Sequence, residues 1–186
     1  MRKKLEKWAE YLVKKKYEFS KYRAIPSIEK SNLTFGNKGL MFEATVLFID
    51  MRNSTKMLKL HQKTTIAKLY SIYFMTIVNI AKKNKGEVRS FNGDGALIFF
   101  EATRFDSYNN AVKTAREIRY ALTDESSKVK IQINTYNDID FGIGIDHGEI
   151  LCTKVGISGD DNSKDLVWVG DAVNRSVKIA DMASLP

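Results

Sequence analysis

The chain has 186 residues, 44% hydrophobic and 28% charged, with only two prolines and 11 glycines. That is enough for one domain with a core and too little for two, and it excludes a long disordered linker. The formal charge of +8 would suit a polynucleotide or a polyphosphate, but the basic residues gather between Arg2 and Arg23 and at Lys82, Lys83 and Lys85, a distribution that reads as solvated surface and not as a nucleic-acid groove.

A single cysteine, Cys152, excludes an internal disulfide and a multi-thiol metal site, and two histidines are too few for a histidine-rich metal centre. The segment after Arg2 is charged and lacks the apolar run of a signal peptide. The most apolar helical window, Ile66 to Ala81, contains Lys68 and falls short of the ~20 apolar residues of a membrane span. The expectation is a cytoplasmic protein without one.

In chain order, residues 2 to 22 predict an amphipathic helix carrying Leu5, Trp8, Leu12 and Phe19, packed on its own domain or on a dimer mate. Ala44 to Ile49 predicts a buried strand ending at Asp50. Asn53, Ser54 and Thr55 offer N-caps for a helix from about Thr55 to Ala81, with a break near His61 to Thr64. Asn92-Gly93-Asp94-Gly95 predicts a hairpin turn between Glu87–Arg89 and Ala96–Phe100. Asn109 to Leu122 has helical spacing, and Phe141–Ile145 and Glu149–Thr153 predict two strands around an Asp146-His147-Gly148 turn. A polar loop over 156–165, a strand over Leu166–Val169 and a helix over Val173–Ala180 complete the chain. The alternation predicts an α+β or α/β fold with helices stacked on one sheet.

Asp50 is expected where a strand ends and a helix begins, and Asp94 at the hairpin tip. Two carboxylates at adjacent strand ends make an oxygen-rich site of the kind Mg²⁺ or Mn²⁺ uses on triphosphates. Singly, each has a plainer reading, Asp50 as a helix cap and Asp94 as a turn residue.

Four segments decide between these. LFIDMRNST (Leu47–Thr55), FNGDGALIFF (Phe91–Phe100), FGIGIDHGEI (Phe141–Ile150) and VGDAVNRSVKIA (Val169–Ala180) together resemble the class III adenylate and guanylate cyclase domain. The resemblance implies an α+β fold, a ferredoxin-like palm sheet with helices packed on it, with residues 1–40 as a helical arm and 41–186 as the catalytic domain. It implies that Asp50 and Asp94, with Met51, hold two divalent ions, Mn²⁺ or Mg²⁺, and that the backbone of Met51, Arg52, Asn53, Ser54 and Thr55 cradles the phosphates of a nucleoside triphosphate. Asn174 matches the family's ribose-orienting asparagine, and Lys178 stands where the family has a transition-state arginine. Arg175 falls on another helical face.

The adenine-reading pair of the family is replaced by Ser90 and Val167. The run from Arg89 to Asp94 is similar instead to the bacterial anti-phage pyrimidine (Pycsar) cyclases, which implies cyclic UMP or cyclic CMP as product, with Arg89, Ser90 and Val167 on the substrate. The family's dimer implies a homodimer with shared sites, Asp50 and Asp94 from one chain and Ser90, Val167, Asn174 and Lys178 from the other. A separate effector protein would read the product, and no nucleic acid is implied. The family continues past its last helix to a phosphate-binding lysine, whereas this chain stops at Pro186, short of that end. An adenylate cyclase with an atypical base pocket and an inactive nucleotide-binding regulatory domain are the competing readings.

Overall fold

In the computed structural model, which describes residues 1–29, 32–101 and 104–183, the basic arm splits in two. Its first half is α1 (Arg2–Lys14), a helix with no buried residue. The apolar side chains of Leu5 and Trp8 are 61% and 55% exposed, so the helix rests on its own domain only along one edge, where Trp8 and the half-buried Leu12 border Phe35 and Lys154. The helix stops well before residue 22 because Asn37 Nδ2 donates to the Leu12 and Lys15 carbonyls, at 2.7 and 2.5 Å, capping acceptors that a helix end leaves unpaired. Phe19, expected on the helix, lies in β1 (Glu18–Lys21), which pairs in parallel with the start of β2 (Lys38–Arg52).

β2 is the spine of the molecule. One whole edge, Gly39 to Arg52, pairs antiparallel with β5 (Asp140–Gly156). The other edge is shared by β1 along Lys38–Met41 and β4 (Gly95–Phe100) along Thr45–Asp50. With β3 (Gly86–Asn92) and β6 (Lys164–Val169) outermost, the order is β3-β4-β2-β5-β6. The helix expected from Thr55 is indeed broken, into α2 (Ser54–Leu60) and α3 (Lys63–Lys83). α4 (Arg104–Thr123), α5 (Lys128–Asn134) and α6 (Asp171–Met182) complete an α+β architecture.

The sheet buries both faces. On one, Leu47, Ile49, Ile98 and Phe100 meet Leu69, Tyr73 and Ile77 of α3 and Ile118 of α4. On the other, Val46, Phe48, Leu97 and Phe99 meet Ile150, Leu166 and the α6 residues Ala172 and Ala180. β4 is buried along its full length, as expected of a strand covered on both sides. Cys152 is fully buried in the second cluster, and burial pushes its thiol up to about 12.

One expectation is corrected. Asp146-His147-Gly148 is no turn: β5 runs unbroken for 17 residues. Local turn preference yields to a long partner, since Asp146, His147 and Gly148 pair with Val46, Thr45 and Ala44. His147 Nδ1 lies 2.9 Å from Thr45 Oγ1, and Nε2 lies 2.9 Å from Glu43 Oε1. A carboxylate only accepts, so Nε2 carries the hydrogen. The histidine therefore clips β5 to β2.

α6 lies on β5 at backbone distance. A Cβ built on Gly142 or Gly144 would sit 1.9 Å from the Ala180 carbonyl oxygen or 1.8 Å from that of Ser176. Two missing side chains thus set the depth at which the helix carrying Asn174 and Lys178 seats.

Candidate active site

Asp50 is the last of the six β2 positions that pair with β4, and its partners on both sides are glycines, Gly95 on β4 and Gly142 on β5. Gly95 leaves room for the carboxylate: a Cβ there would lie 2.7 Å from Asp50 Oδ1. Asp94 precedes Gly95 in a two-residue hairpin loop whose first residue, Gly93, has φ +63, as a type II′ hairpin requires. The antiparallel register thus delivers the second carboxylate beside the first.

That proximity has an electrostatic consequence. Burial, then the charge of Asp94, then that of Asp181, pushes the Asp50 carboxyl up to about 6, against a smaller pull from a Met51 N–H bond. Two crowded carboxylates attract a cation. Among the described residues no group of three or more His, Cys, Asp and Glu is placed to hold a metal, so the chain offers a carboxylate pair. That donor set fits Mg²⁺ or Mn²⁺, which take one or two carboxylates and complete their shells with water and phosphate oxygens. A proton and a cation compete for Asp50. Mn²⁺ affinity is expected to fall as pH drops through about 6, which calorimetric titration from pH 7.5 to 5 would read.

Beyond Asp50 the chain turns sharply. Asn53 takes a left-handed conformation, φ 56, before α2 begins, a region asparagine tolerates better than most residues. Its carbonyl accepts from Lys56 and Met57, so the amides of Ser54 and Thr55 are the unpaired first donors of the helix. The Met51 side chain is buried in the core, leaving only its backbone at the site. The Arg52 guanidinium reaches the Ala180 carbonyl at 3.2 Å and Asp140 at 3.7 Å, tying α6 to β5, so it too offers backbone alone.

Other expected residues are dispersed. Arg89 sits at a bulge in β3. Its guanidinium donates to the Pro26 carbonyl at 2.8 Å and pairs with Glu87, walling a cavity of about 210 Å³ with Asp165 and Leu166 of β6. Ser90 Oγ donates to Asn92 Oδ1 at 2.9 Å. Val167 is 40% exposed on the outermost strand. Ser90 pairs with Leu97, a residue of the second core, whereas Leu166 and Trp168 on either side of Val167 pack into that core. One chain therefore points Ser90 and Val167 to opposite faces. Asn174 and Lys178 lie one turn apart on the exposed side of α6. Arg175, beside them, is held by Asp146 at 2.6 Å.

Two residues escaped the sequence reading. Tyr70 and Tyr73, one turn apart on α3, both carry hydroxyls within the field of Asp50 and Asp94, and burial, then those charges, raises both phenols. Helical spacing in that stretch signalled only core.

Comparison with known proteins places this geometry. Residues 39–184 match the family described as adenylate and guanylate cyclase catalytic domain. A uridylate cyclase from Burkholderia cepacia is 26% identical over 183 residues, 98% of this chain and 78% of that protein. One from Gulbenkiania mobilis is 32% identical over 174 residues, 86% of this chain and 62% of that protein. Among solved structures, a guanylyl cyclase superposes with a TM-score of 0.67 at 26% identity, covering 77% of this chain and 72% of that one. The adenylyl cyclase CyaB from P. aeruginosa shares the fold at TM-score 0.66 and 20% identity, covering 77% and 74% of the two chains. No helix among the described residues is long and apolar enough to cross a membrane.

Proposed function

The chain belongs to the adenylate and guanylate cyclase catalytic-domain family, and from that premise we propose that it is a pyrimidine nucleotide cyclase, converting UTP, or CTP, into the 3′,5′-cyclic monophosphate and pyrophosphate. The observation that carries a cyclase reading of the site is the register that sets Asp94 beside Asp50. The pyrimidine preference is supported by Ser90 and Val167 in place of an adenine-reading pair and by relatives named uridylate cyclase.

In this reading Asp50 and Asp94 hold two divalent ions, Mn²⁺ or Mg²⁺, with the Met51 backbone beside them. Bound there, such ions neutralise the triphosphate and acidify the ribose 3′-hydroxyl. The Ser54 and Thr55 amides donate to phosphate oxygens. The 3′-hydroxyl gives its proton to solvent, its oxygen bonds to the α-phosphorus as the bond to the bridging oxygen breaks, and pyrophosphate departs. Ser90 offers a short hydroxyl that both donates and accepts, suited to a pyrimidine edge. Arg89, held by Pro26 and Glu87, shapes the wall beside it.

Asn174 and Lys178 make no side-chain hydrogen bond or ion pair among the described residues, and both are exposed. They complete the site of a second copy, giving a homodimer with two equivalent sites. There Asn174 orients the ribose, and Lys178 supplies charge at the transition state without arginine's planar fork. Residues 1–40 form the arm and 41–186 the catalytic domain, of which 102–103 and 184–186 lie outside the described residues. The product serves a separate effector in bacterial antiviral defence, a role supported by the resemblance of Arg89–Asp94 to the anti-phage cyclases.

The test is incubation of the purified chain with ATP, GTP, CTP and UTP plus Mn²⁺, with products read by mass spectrometry. Cyclic UMP or cyclic CMP is expected. Cyclic AMP would establish an atypical adenylate cyclase, and binding without pyrophosphate release a regulatory domain.

A further inference from the structure

Side chains alternate across a sheet, so Asp50 and Arg52 share one face of β2 with Val46 and Phe48, the face that α6 covers. Their partners on β5 are Gly142 and Asp140. The last turn of α6 is seated against these pairs. A Cβ on Gly142 would lie 1.9 Å from the Ala180 carbonyl oxygen and 3.1 Å from Arg52 Nη2. Arg52 Nη2 donates to that carbonyl at 3.2 Å, and Nη1 lies 3.7 Å from Asp140 Oδ2. One planar guanidinium thus holds a helix and a strand at once.

The Ala180 carbonyl belongs to the last turn of α6, where a helix runs out of its own amides to pair with its acceptors. A guanidinium there supplies a donor and suits the negative end of the helix dipole. The ion pair to Asp140 is long and only part-buried, so it contributes little stability and serves to steady the fork. The origin of this cap is what bears on function. Arg52 is the last residue of β2, two beyond Asp50 and two before Ser54, whose amide opens α2. The helix it caps is the one that carries Asn174 and Lys178.

We propose that Arg52 is a positioning residue that acts across the dimer: by capping Ala180 it fixes the seat of the helix which its own chain lends to the active site of the second copy. This rests on the reading that Asp50 serves the site of its own chain while Asn174 and Lys178 serve the other. Lys178 lies two residues before Ala180 and Asn174 six, so a cap at Ala180 sets the position of both along the helix axis. Although Arg52 stands within the phosphate-facing segment, its side chain is turned away to α6. Its loss is therefore felt at the site it does not border. Misplacing catalytic groups by about 1 Å from a distance costs up to about 100-fold in rate.

The experiment uses mixed dimers, made by coexpressing two differently tagged full-length chains and purifying the doubly tagged species. One chain carries Asn174→Ala and the other Asp50→Asn, so a single intact site remains, with its carboxylates from the first chain and its Asn174 from the second. Arg52→Gln is then placed in either chain, and cyclic nucleotide formed from UTP and CTP with Mn²⁺ is measured. The expected result is a rate at least about 10-fold lower with Arg52→Gln in the chain that supplies Asn174 than with it in the chain that supplies Asp50. Equal losses in both placements would make Arg52 a general support of the fold and overturn the proposal. A larger loss in the chain supplying Asp50 would also overturn it, by placing the guanidinium on the phosphates of its own site. Should Arg52→Gln not fold, Arg52→Lys, which keeps the charge and loses the fork, is read in the same way. A mixed dimer with both Arg52 residues intact that makes no more product than either parent would remove the shared-site reading itself, a failure distinct from a restored site that is indifferent to where Arg52→Gln lies.

Discussion

Replacing Asp50 by asparagine lowers cyclic nucleotide formation by roughly a thousandfold or more, yet leaves the metal-free protein at least as stable as the wild type. Both halves follow from one cause. Asparagine keeps the shape in the slot between Gly95 and Gly142 but removes one of two charges that hold the ions. In the metal-free fold that charge is a burden, since burial and Asp94 raise the Asp50 carboxyl to about 6 from an ordinary 3.8. Between those pH values the native state holds a proton that the unfolded chain has released, so wild-type stability falls as pH rises. Above about 6 the loss is complete, and the advantage of Asp50→Asn is largest there. Product yield by mass spectrometry and melting curves at pH 4 and pH 7.5, without metal, check the two halves. Activity within tenfold of the wild type would rule Asp50 out as a ligand.

Gly144→Ala is expected to destabilise the fold by about 3 kcal/mol or more, at the upper end of overpacking substitutions. The new methyl would fall 1.8 Å from the Ser176 carbonyl oxygen, and backbone cannot yield as a side-chain tip does. For a chain of this size such a loss lowers the melting temperature by roughly 6–12 °C. Whatever folds should also be impaired as an enzyme, because α6 must lift from β5 and carry Asn174 and Lys178 with it. Gly148→Ala is the control on the same strand beneath the same helix: its methyl would meet Ala172 Cβ at an ordinary 3.4 Å. Equal urea midpoints for the two variants would show that the glycine contact does not set the seat of α6.

What the sequence disclosed and what it hid divide along the range of the interactions involved. The buried strand at Ala44–Ile49, the break near His61 and the Asn92–Gly95 hairpin are local signals, and all three appear in the structure. The Asp146-His147-Gly148 turn was a local signal too, but a 15-residue β2 offered each of those residues a ladder partner, and pairing outweighed propensity. α5 was missed because its seven residues, KVKIQIN, carry strand-like alternation. Ser127 caps it, accepting from the Lys130 amide, and the fold around Ile133 supplies the rest. At the site, both aspartates could be named from motifs, but their juxtaposition is a matter of strand register. Tyr73 could not be found at all, since a tyrosine at core spacing looks like any other apolar position until its hydroxyl is seen to lack a partner among the described residues.

The lone thiol has a practical consequence. Cys152 is sealed between β2 and β6 and is protonated at every working pH, and it is the thiolate that reacts. Maleimides and iodoacetamides should therefore pass the folded chain by. A cysteine introduced at an exposed position would be the sole target, so a spin label or fluorophore can be attached without first stripping the native residue. Lys178→Cys, labelled and mixed with protein labelled near Asn92, would turn the spacing between two copies into a ruler reading.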